Sequence, residues 1–328
     1  MNIEDVANAL GVSKGTVSRA ITGNGRIAAK TRVRVLDYMA QHDFQPNTIA
    51  QSLSRRRTMN LAFTVPEEQE LTYMPFFLQC LIGARAQAIK TSIDILVVNN
   101  TDSDVQRVVR SQKVDGVIVS RNLMDSAMLD YLSESGVPFV LIGTAHREGV
   151  LQVDHDHRAA CGELTGLLLQ RWHGRPGMLA ASKSHVVSQA RAAGFSDAAG
   201  DAPIRWGAVD EHSVIAACQE LRGDGVDLFF CEDDMICSHL ENSLRTGRLG
   251  IDPEQIRVAS FYDSYMLEAL TPDVPVIRIN AFELGARACE MVLERIAGEP
   301  VDNVTLEYEI DMRDASPFTS SDGEGRHH

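Results

Sequence analysis

The stretch Gly11-Val12-Ser13-Lys14-Gly15-Thr16-Val17-Ser18-Arg19 decides how the beginning of the chain folds. Gly11 readily adopts the left-handed backbone conformation in which many helices end. Two residues later, the Ser13 hydroxyl can accept a hydrogen bond from the first turn of a new helix. The stretch therefore predicts two short helices joined by a tight turn, with the second helix running over residues 14–21.

The flanking residues extend this pattern to three helices. The first helix is expected to begin after the N-cap Asn2, and its apolar positions recur at helical spacing: Ile3, Val6, Ala7 and Leu10. A third helix is expected over about residues 28–42, with an inward-facing stripe: Val33, Leu36, Met39 and Ala40. Such a trio is typical of the helix-turn-helix, although it could also be a packing module that binds nothing.

The second helix is where DNA contacts are expected, because its N-terminal residues meet base edges in the major groove. Arg19 could bind guanine in bidentate fashion, and Thr16 and Ser18 suit phosphates. The stretch that follows the three helices favours DNA over a packing module. Residues 48–54 could form two helical turns, too short to be stable alone, and Arg55-Arg56-Arg57 suits phosphates.

Charge is distributed unevenly over the 328 residues, whose net charge is −14. Residues 1–58 carry nine basic and four acidic side chains, a balance of +5, so the remainder carries −19. A small basic part on a large acidic body is expected where one end meets phosphate. Hydrophobic residues make up 44% and charged residues 23%, which excludes a disordered, collagen-like or coiled-coil chain and fits two or three domains.

Targeting and redox features point to the cytoplasm. No apolar run approaches the roughly 18 residues that a membrane span needs, and the first residues lack the basic start of a secretory signal. We therefore expect no membrane partner. The cysteines lie in apolar segments without a CxxC pair, which favours reduced core residues: Cys80, Cys161, Cys218, Cys231, Cys237 and Cys289.

Several segments near the start resemble the DNA-binding head and hinge of the lactose-repressor (LacI/GalR) family: Ile3–Ala7, Gly11–Arg19, Thr31–Leu36 and Pro46–Leu53. The resemblance implies a hinge at residues 47–55 that folds on the operator. It also implies that Leu53 inserts into the minor groove as an apolar wedge, with packing inside the hinge as the alternative. Helix position and resemblance together define the DNA-binding candidates: Asn2, Ser13, Lys14, Gly15, Thr16, Ser18, Arg19, Asn24, Arg26, Thr31, Asn47, Ala50, Leu53, Arg55 and Arg56.

From about residue 59, buried apolar segments alternate with helical stretches, which indicates parallel sheets with right-handed crossovers. The candidate strands are residues 60–65, 93–99, 114–120, 138–143, 150–154, 178–181, 226–231, 257–261 and 276–279. The candidate helices include residues 77–91, 126–135, 158–171, 214–222, 235–245 and 283–297. About 260 residues of this kind suit two sheets better than one.

This body also resembles the family, whose effector domain has two lobes similar to those of periplasmic sugar-binding proteins. The fold class predicted for the chain is α/β: an N-terminal three-helix helix-turn-helix head with a hinge helix, then a bilobed, type I periplasmic-binding-protein-like domain of two parallel sheets. The expected domains are the head (1–46), the hinge helix and linker (47–58), the effector-binding and dimerisation domain (59–312) and a polar tail (313–328). The chain should cross between the lobes near residues 156, 281 and 308.

The cleft between the lobes departs from the pattern that the resemblance implies. Many sugar-binding members place an arginine five residues before the glycine aligned with Gly194, where this chain has Gln189. They also place an aspartate where Tyr262 stands, and an asparagine–aspartate pair at Asp233-Asp234. Arginine and aspartate bind sugar hydroxyls through paired hydrogen bonds, so their loss changes what the cleft can recognise.

Two interpretations of the altered cleft stay open. Either the effector is an unusual polyol, cationic or aromatic metabolite, or Arg191 and Asp263 take over the missing contacts. Phe76 is a candidate stacking wall and His185 a candidate lining residue, with core packing and an exposed loop as their respective alternatives. The effector-binding candidates are Phe76, His185, Gln189, Arg191, Asp233, Tyr262 and Asp263.

Metal and enzyme functions lack a matching motif. The run Asp154-His155-Asp156-His157 offers four potential ligands, because alternate residues of a strand share a face, but no third ligand cluster is evident. The sequence contains no GxSxG, P-loop, HExxH or GxGxxG motif. We therefore expect no enzyme activity, metal or cofactor, but a repressor that binds double-stranded, pseudo-palindromic DNA as a homodimer and responds to a small-molecule effector. The alternatives are a regulator with a vestigial cleft controlled by a protein partner and, less favoured, a small-molecule enzyme.

Overall fold

The structure is a computed structural model that describes residues 1–22, 25–42, 44, 57–66, 75–123, 127–145, 147–313 and 318–319. It divides into two compact units, residues 1–59 and 60–328. No helix in these described ranges is long and apolar enough to cross a membrane. All six cysteines are buried and free.

The first unit contains α1 (Ile3–Leu10), α2 (Lys14–Thr22) and α3 (Ala29–Gln41). The helix boundaries arise as the sequence predicts. Asn2 caps α1 by accepting hydrogen bonds from the Glu4 and Asp5 amides, and Gly11 ends the helix with a φ of 63°. The Ser13 hydroxyl accepts a 3.1 Å hydrogen bond from the Thr16 amide at the start of α2.

The inward stripe predicted for α3 is confirmed at Met39 and wrong at Val33, Leu36 and Ala40. Val33 and Leu36 are 57% and 43% exposed, and Ala40 is also exposed. The helix instead buries Val35 and Met39 against the core of the three helices. Apolar residues on α3 occupy both faces at helical spacing, so periodicity alone does not show which face is packed.

The second unit has two six-stranded sheets, each forming the centre of one lobe. The strands of the first lobe lie in the spatial order β12 (Val304–Leu306), β5 (Gln152–His155), β4 (Phe139–Ile142), β3 (Gly116–Val119), β1 (Asn60–Val65) and β2 (Asp94–Asn99). Those of the second lobe lie in the order β13 (Tyr308–Asp311), β11 (Val276–Ile279), β10 (Arg257–Ser260), β9 (Leu228–Cys231), β7 (Pro176–Ala180) and β8 (Ile204–Trp206). The short strands β6 (Trp172–His173) and β14 (Phe318–Thr319) pair separately.

The helices of the second unit connect these strands. They are α4 (Pro75–Ile89), α5 (Asp102–Arg110), α6 (Met128–Ser135), α7 (His157–Leu169), α8 (Val186–Ala199), α9 (Glu211–Gly223), α10 (Asp234–Arg245), α11 (Tyr265–Leu270) and α12 (Ala281–Ala297). The predicted α/β class with two sheets is confirmed, and each of the nine predicted strands coincides with an observed one. The sheets are parallel except for β13, which runs antiparallel to β11. A single residue separates β12 from β13, so the chain enters the second sheet there without a crossover helix.

The chain crosses between the lobes three times, as predicted. It leaves the first sheet after β5, returns between β11 and α12, and crosses again between β12 and β13. Because α12 packs on α4 and on the first sheet, the first lobe contains residues far apart in sequence. In parallel sheets joined this way, the carboxyl ends of the strands meet at the gap between the lobes.

Glycines allow the helices of each lobe to approach closely. A Cβ atom at Gly285 of α12 would lie 1.8 Å from the Cys80 carbonyl oxygen of α4. In the second lobe, a Cβ atom at Gly194 of α8 would lie 2.2 Å from the Arg158 carbonyl oxygen of α7. Neither position can accept a side chain unless a helix moves, so these two glycines set the spacing of the helix pairs.

We expect Gly285→Ala to lower the free energy of unfolding by about 2 kcal/mol, because the added methyl group overpacks a backbone-to-backbone contact. The matched control is Gly166→Ala in α7, where a Cβ atom meets no atom within 4 Å. The control should be neutral or up to about 1 kcal/mol more stable, as expected for alanine in a helix. Urea unfolding of both variants measures the difference, and an unchanged midpoint for Gly285→Ala would mean that the helices are not held this closely.

Candidate functional site

A cavity of about 710 Å³ lies between the two lobes, where loops that follow the strands supply its walls. Residues after β3 and β4 and the start of α4 form the wall of the first lobe: Phe76, Phe77, Ser120, Arg121, Asn122 and Thr144. Residues after β7, β9 and β10 contribute to the wall of the second lobe: Ala181, Glu232, Asp233, Asp234 and Tyr262. Its size and position are those of a small-molecule site.

The structure brings most of the predicted effector residues together at this cavity. Those that line it are Phe76, His185, Arg191, Asp233 and Tyr262. Two of them join the lobes directly, because the rings of Phe76 and Tyr262 meet edge to face with centroids 5.9 Å apart. Phe76 therefore packs against the core of the first lobe and also contacts the second lobe across the cavity.

Gln189, a predicted effector residue, does not line the cavity. This side chain is exposed, and its Nε2 donates a 2.7 Å hydrogen bond to the Lys183 carbonyl outside the cavity wall. Arg191, two positions along α8, is buried and lines the cavity. Successive helical residues are about 100° apart, so positions 189 and 191 point to nearly opposite sides of the helix.

Asp263 also lies outside the cavity wall, although the sequence analysis places it among the effector residues. Its side chain is buried and forms ion pairs with Arg278, at 3.2 Å, and with Arg313. This position follows Tyr262 directly, so the two side chains leave the loop after β10 in different directions. Asp263 thus connects that loop to the residues after β13.

The carboxylates after β9 have structural partners of different kinds. Glu232 accepts hydrogen bonds from the Ala181 amide, at 2.7 Å, and from the Ser188 hydroxyl. Asp233 caps α10 by accepting a 2.9 Å hydrogen bond from the Ile236 amide. Burial raises the pKa of Glu232 and of Asp233, and burial together with the neighbouring Asp233 raises the pKa of Asp234 to about 7.

Arg121 is a cavity residue that the sequence analysis does not identify. Its Nη2 lies 2.8 Å from His185 Nε2, so the loop after β3 contacts the start of α8 in the other lobe. Backbone bridging between Leu123 and His185 reinforces this contact. The pairing joins residues more than 60 positions apart, and no local pattern indicates it. His185 is therefore part of a contact between lobes and not a free loop residue.

In the head, the residues predicted for DNA contact lie largely on one exposed helix. Lys14, Gly15, Ser18 and Arg19 of α2 are exposed, and Thr16 is half-buried. Ser13 and Arg26 are also exposed, Thr31 is half-buried, and Asn2 is the cap of α1. The remaining DNA candidates lie outside the described residues: Asn24, Asn47, Ala50, Leu53, Arg55 and Arg56.

Known protein families match both units. Residues 2–47 match the model of bacterial regulatory proteins of the lacI family, and residues 58–224 match the periplasmic binding proteins and sugar binding domain of the LacI family. Residues 165–314 match a periplasmic binding protein-like domain. The chain belongs to the LacI family of bacterial regulatory proteins.

Similar members of the LacI family are transcriptional regulators and not enzymes. The regulator CelR of Thermobifida fusca is 28% identical over 94% of this chain and 96% of its own length. Catabolite control protein A of Staphylococcus aureus (strain MRSA252) is 23% identical over 95% of this chain and 98% of its own. The solved CelR–cellobiose complex covers 96% of this chain and 99% of its own with a TM-score of 0.69 and 25% identity. The operator-bound lac repressor dimer shares the fold, with a TM-score of 0.81 at 19% identity, covering 97% and 99% of the two chains.

The run Asp154-His155-Asp156-His157 lies at the first crossing between the lobes. Asp154 accepts hydrogen bonds from Thr144 Oγ1, at 2.8 Å, and from His157 Nε2, at 3.0 Å. Asp156 caps α7 through the Ala159 amide. The strand ends at His155, so the alternation expected for these side chains does not continue. Among the residues that the structure describes, no group of three or more His, Cys, Asp or Glu side chains is placed to hold a metal.

His155 is buried, and its Nδ1 lies 3.1 Å from the Leu306 carbonyl oxygen of β12. Burial, together with the nearby His157, lowers the pKa of His155 from 6.5 to about 4. The unfolded chain therefore binds a proton between pH 6.5 and pH 4 that the folded chain does not bind. Stability conferred by the neutral ring is complete above pH 6.5 and is lost as the pH falls through this window.

Between pH 7 and pH 5, the free energy of unfolding of His155→Gln should fall by about 2 kcal/mol less than that of the wild type, because the variant lacks the titrating ring. Chemical denaturation at the two pH values measures this difference. Exposed His173 offers the control, since His173→Gln should leave the pH dependence as it is. An identical acid loss in His155→Gln and in the wild type would show that His155 does not titrate in this way.

Proposed function

We propose that this regulator is a repressor that binds a pseudo-palindromic operator as a homodimer, with an affinity set by a small molecule in the cavity. The observation that carries the proposal is that a ligand-sized cavity lies between lobes joined by three chain crossings, in a chain that also carries a helix-turn-helix. Relatives support the ligand class as a sugar, polyol or related carbon-source metabolite, because one solved relative is a complex with cellobiose.

DNA recognition is proposed to occur through the exposed face of α2. The side chains of Lys14, Ser18 and Arg19 are free of the head's buried core, so they can reach bases and phosphates. Arg19 lies over Gly25, where a Cβ atom would come within 3.1 Å of its Cδ atom. Any side chain at this position would crowd Arg19, whose guanidinium group is suited to bidentate binding of guanine.

Exposed apolar side chains support the homodimer. In the first lobe they lie on α4, α12 and β2: Leu78, Ile82, Ile89, Phe282 and Val97. In the second lobe they lie on α11: Tyr265, Met266 and Leu270. Apolar groups of this size on several neighbouring elements mark a protein contact, and a two-fold interface uses the same surface of both copies. Such a dimer would present two heads to the two halves of an operator.

Regulation is proposed to follow from the cavity's position. The Arg121–His185 and Phe76–Tyr262 contacts join the lobes across the cavity, so a molecule bound there favours one separation of the lobes. A ligand shifts the balance between two states only by the difference in its affinity for them. A change in lobe separation would reach the DNA-binding part through the dimer, whose interface draws on both lobes.

Selection of bound duplexes from a random library tests the DNA-binding part of the proposal and yields an operator for later measurements. A repressor of this kind should enrich a pseudo-palindrome with half-sites about 34–36 Å apart or a multiple of that distance. Enrichment of no sequence, with a folded protein, would contradict the proposal.

For the selected operator, we expect Arg19→Ala to weaken binding by about 1–3 kcal/mol and to relax the preference at one base pair of each half-site. The exposed Lys30→Ala, on α3, is the control, and it should change affinity little and equally for all sequences. Gel-shift titrations with the selected operator and a scrambled duplex measure both effects. Equal losses on the two duplexes for Arg19→Ala would exclude a base-reading role.

Substitution of the apolar surface tests the homodimer. Ile82→Glu places a charge at the centre of the exposed face of α4, so we expect sedimentation to show a monomer at concentrations where the wild type is a dimer. Gln219→Glu, on an exposed position of α9, adds the same charge away from the apolar surface and should remain dimeric. A dimer in both variants would mean that α4 lies outside the interface.

A further inference from the structure

The cavity wall contains more buried carboxylates than cationic partners for them. Glu232, Asp233 and Asp234 follow one another after β9, and all three line the cavity. Within the described part of the chain, no ion pair shorter than 4.0 Å involves any of the three. Arg191 lies beside them, but its Nη1 donates to the main-chain oxygen of Glu232 at 2.8 Å. One guanidinium group therefore faces three carboxyl groups.

Of the three carboxyl groups, Asp234 has its charge least compensated by the protein. Both oxygens of Glu232 accept hydrogen bonds, and Asp233 caps α10. Asp234 accepts hydrogen bonds from the Ser264 side chain, which also caps α11, and from its own main-chain amide. A buried carboxylate without a cation favours its neutral form, which agrees with the pKa of about 7. A positive charge from outside the protein would compensate it.

Two unpartnered polar atoms independently indicate that a ligand completes this site. Arg191 Nε and Ser120 Oγ are buried without a hydrogen-bond partner, in side chains that are 7% and 3% exposed and that line the cavity. Buried polar atoms normally have partners because leaving them unpaired costs free energy. They lie in opposite lobes, so a molecule that satisfies both spans the cavity.

The surroundings of the carboxylates suit a ring. Phe76 and Tyr262 meet edge to face, and Met266 lines the same cavity. Tyr262 and Asp234 are close enough that the carboxyl group contributes to raising the pKa of the phenol. A cation held at Asp234 would therefore lie near an aromatic ring, which is a favourable arrangement for a desolvated ammonium group.

We propose that the effector is a ring-bearing ammonium compound, whose protonated nitrogen binds at Asp233 and Asp234 and whose ring packs against Phe76 and Tyr262. This inference rests on the proposed function for the cavity and its coupling to DNA, and it replaces the neutral sugar or polyol proposed there with an ammonium compound. Amino sugars and aromatic amines share this chemistry. With a neutral polyol bound, Asp234 would be neutralised by a proton instead, so such a ligand would gain none of the charge–charge attraction that an ammonium group gains at the ionised carboxylate.

Paired probes that differ in one charge test the proposal and separate the two sources. D-Glucosamine is compared with D-glucose, and 2-phenylethylamine with 2-phenylethanol, by thermal shift and titration calorimetry on the full chain at pH 8. In at least one pair, the amine should bind about tenfold or more tightly than its neutral partner. The responding pair identifies an amino sugar or an aromatic amine. Equal binding within both pairs, tighter binding of a neutral member, or no binding of either amine would overturn the proposal.

Matched substitutions locate the charge. Asp234→Asn should abolish the preference for the amine, whereas Asp210→Asn should retain it. Asp210 also lines the cavity, and asparagine preserves its cap on α9. Loss of the preference in Asp210→Asn together with its retention in Asp234→Asn would overturn the assignment.

The pH dependence provides a second readout. Binding of an ammonium group requires ionised Asp234, so the wild type should bind 2-phenylethylamine, which is protonated at both pH values, more weakly at pH 6 than at pH 8, and Asp234→Asn should not show this change. The charged and titratable groups that interact with Asp234 include Asp233, Arg191, Tyr262 and Cys237, and Glu232, His239, Arg121, His157 and His185 line the same cavity. None of these is altered in the variant, so a difference between the two proteins reports on Asp234. An amine affinity that is the same at both pH values in the wild type would overturn the proposal.

Operator binding distinguishes failure of this inference from failure of the proposed function. If the amines fail but the wild type binds its selected operator and releases it with a neutral sugar such as cellobiose, the ligand class is wrong and the proposed function stands. If the wild type binds no operator, the proposed function itself fails. Release of the operator by the preferred amine, and not by its neutral partner, is the result that the inference predicts.

Discussion

The constraint on which the rest of the structure depends is that the chain passes three times between two sheets. These passages follow β5, follow β11 and separate β12 from β13. They place the carboxyl ends of both sheets at one gap, so the loops after β3, β7, β9 and β10 become the walls of a single cavity. The same passages are the points at which the lobes can move relative to each other. Under the proposed function, ligand binding and lobe position are therefore linked by this connectivity, before any particular side chain is considered.

Several carboxyl groups are buried in the wall of the cavity, and their partners differ. Carboxyl groups are costly to bury unless they are paired or hydrogen-bonded, and most of those at the cavity meet this requirement through helix caps and main-chain amides. Asp154 is paired with His157 and Thr144, and Glu232 with Ala181 and Ser188. Asp234 has hydrogen bonds from the Ser264 side chain and from its own main-chain amide, but these do not offset its burial, which raises its pKa to about 7. Under our proposal, the ammonium group of the bound effector compensates this carboxyl group.

Local sequence patterns predict the parts of this structure that depend on local physics. Helix caps such as Asn2 and Gly11, and the strands buried on both faces, were predictable because a few neighbouring residues determine them. Edge strands such as β8 and β12 were not predictable from apolar runs, because they are only half-buried. Two faces of α3 carry apolar residues, so only the contacts with neighbouring helices determine which face is packed. At the cavity, Gln189 points away and Arg191 lines the wall, because a shift of two positions on a helix exchanges its buried and exposed sides. The Arg121–His185 contact joins residues that are distant in sequence and arises only from the tertiary structure, so no sequence pattern predicts it.

The central claim is that the cavity and the operator are coupled, and reciprocal binding tests it most directly. The affinity for the selected operator is measured with and without a saturating ligand of the cavity, and the affinity for that ligand is measured with and without operator. Thermodynamic linkage requires the two ratios to be equal, and an allosteric regulator typically shows a factor of roughly 5–150. Our account predicts equal ratios in this range. A ligand that binds in the cavity while both ratios remain at one would contradict it.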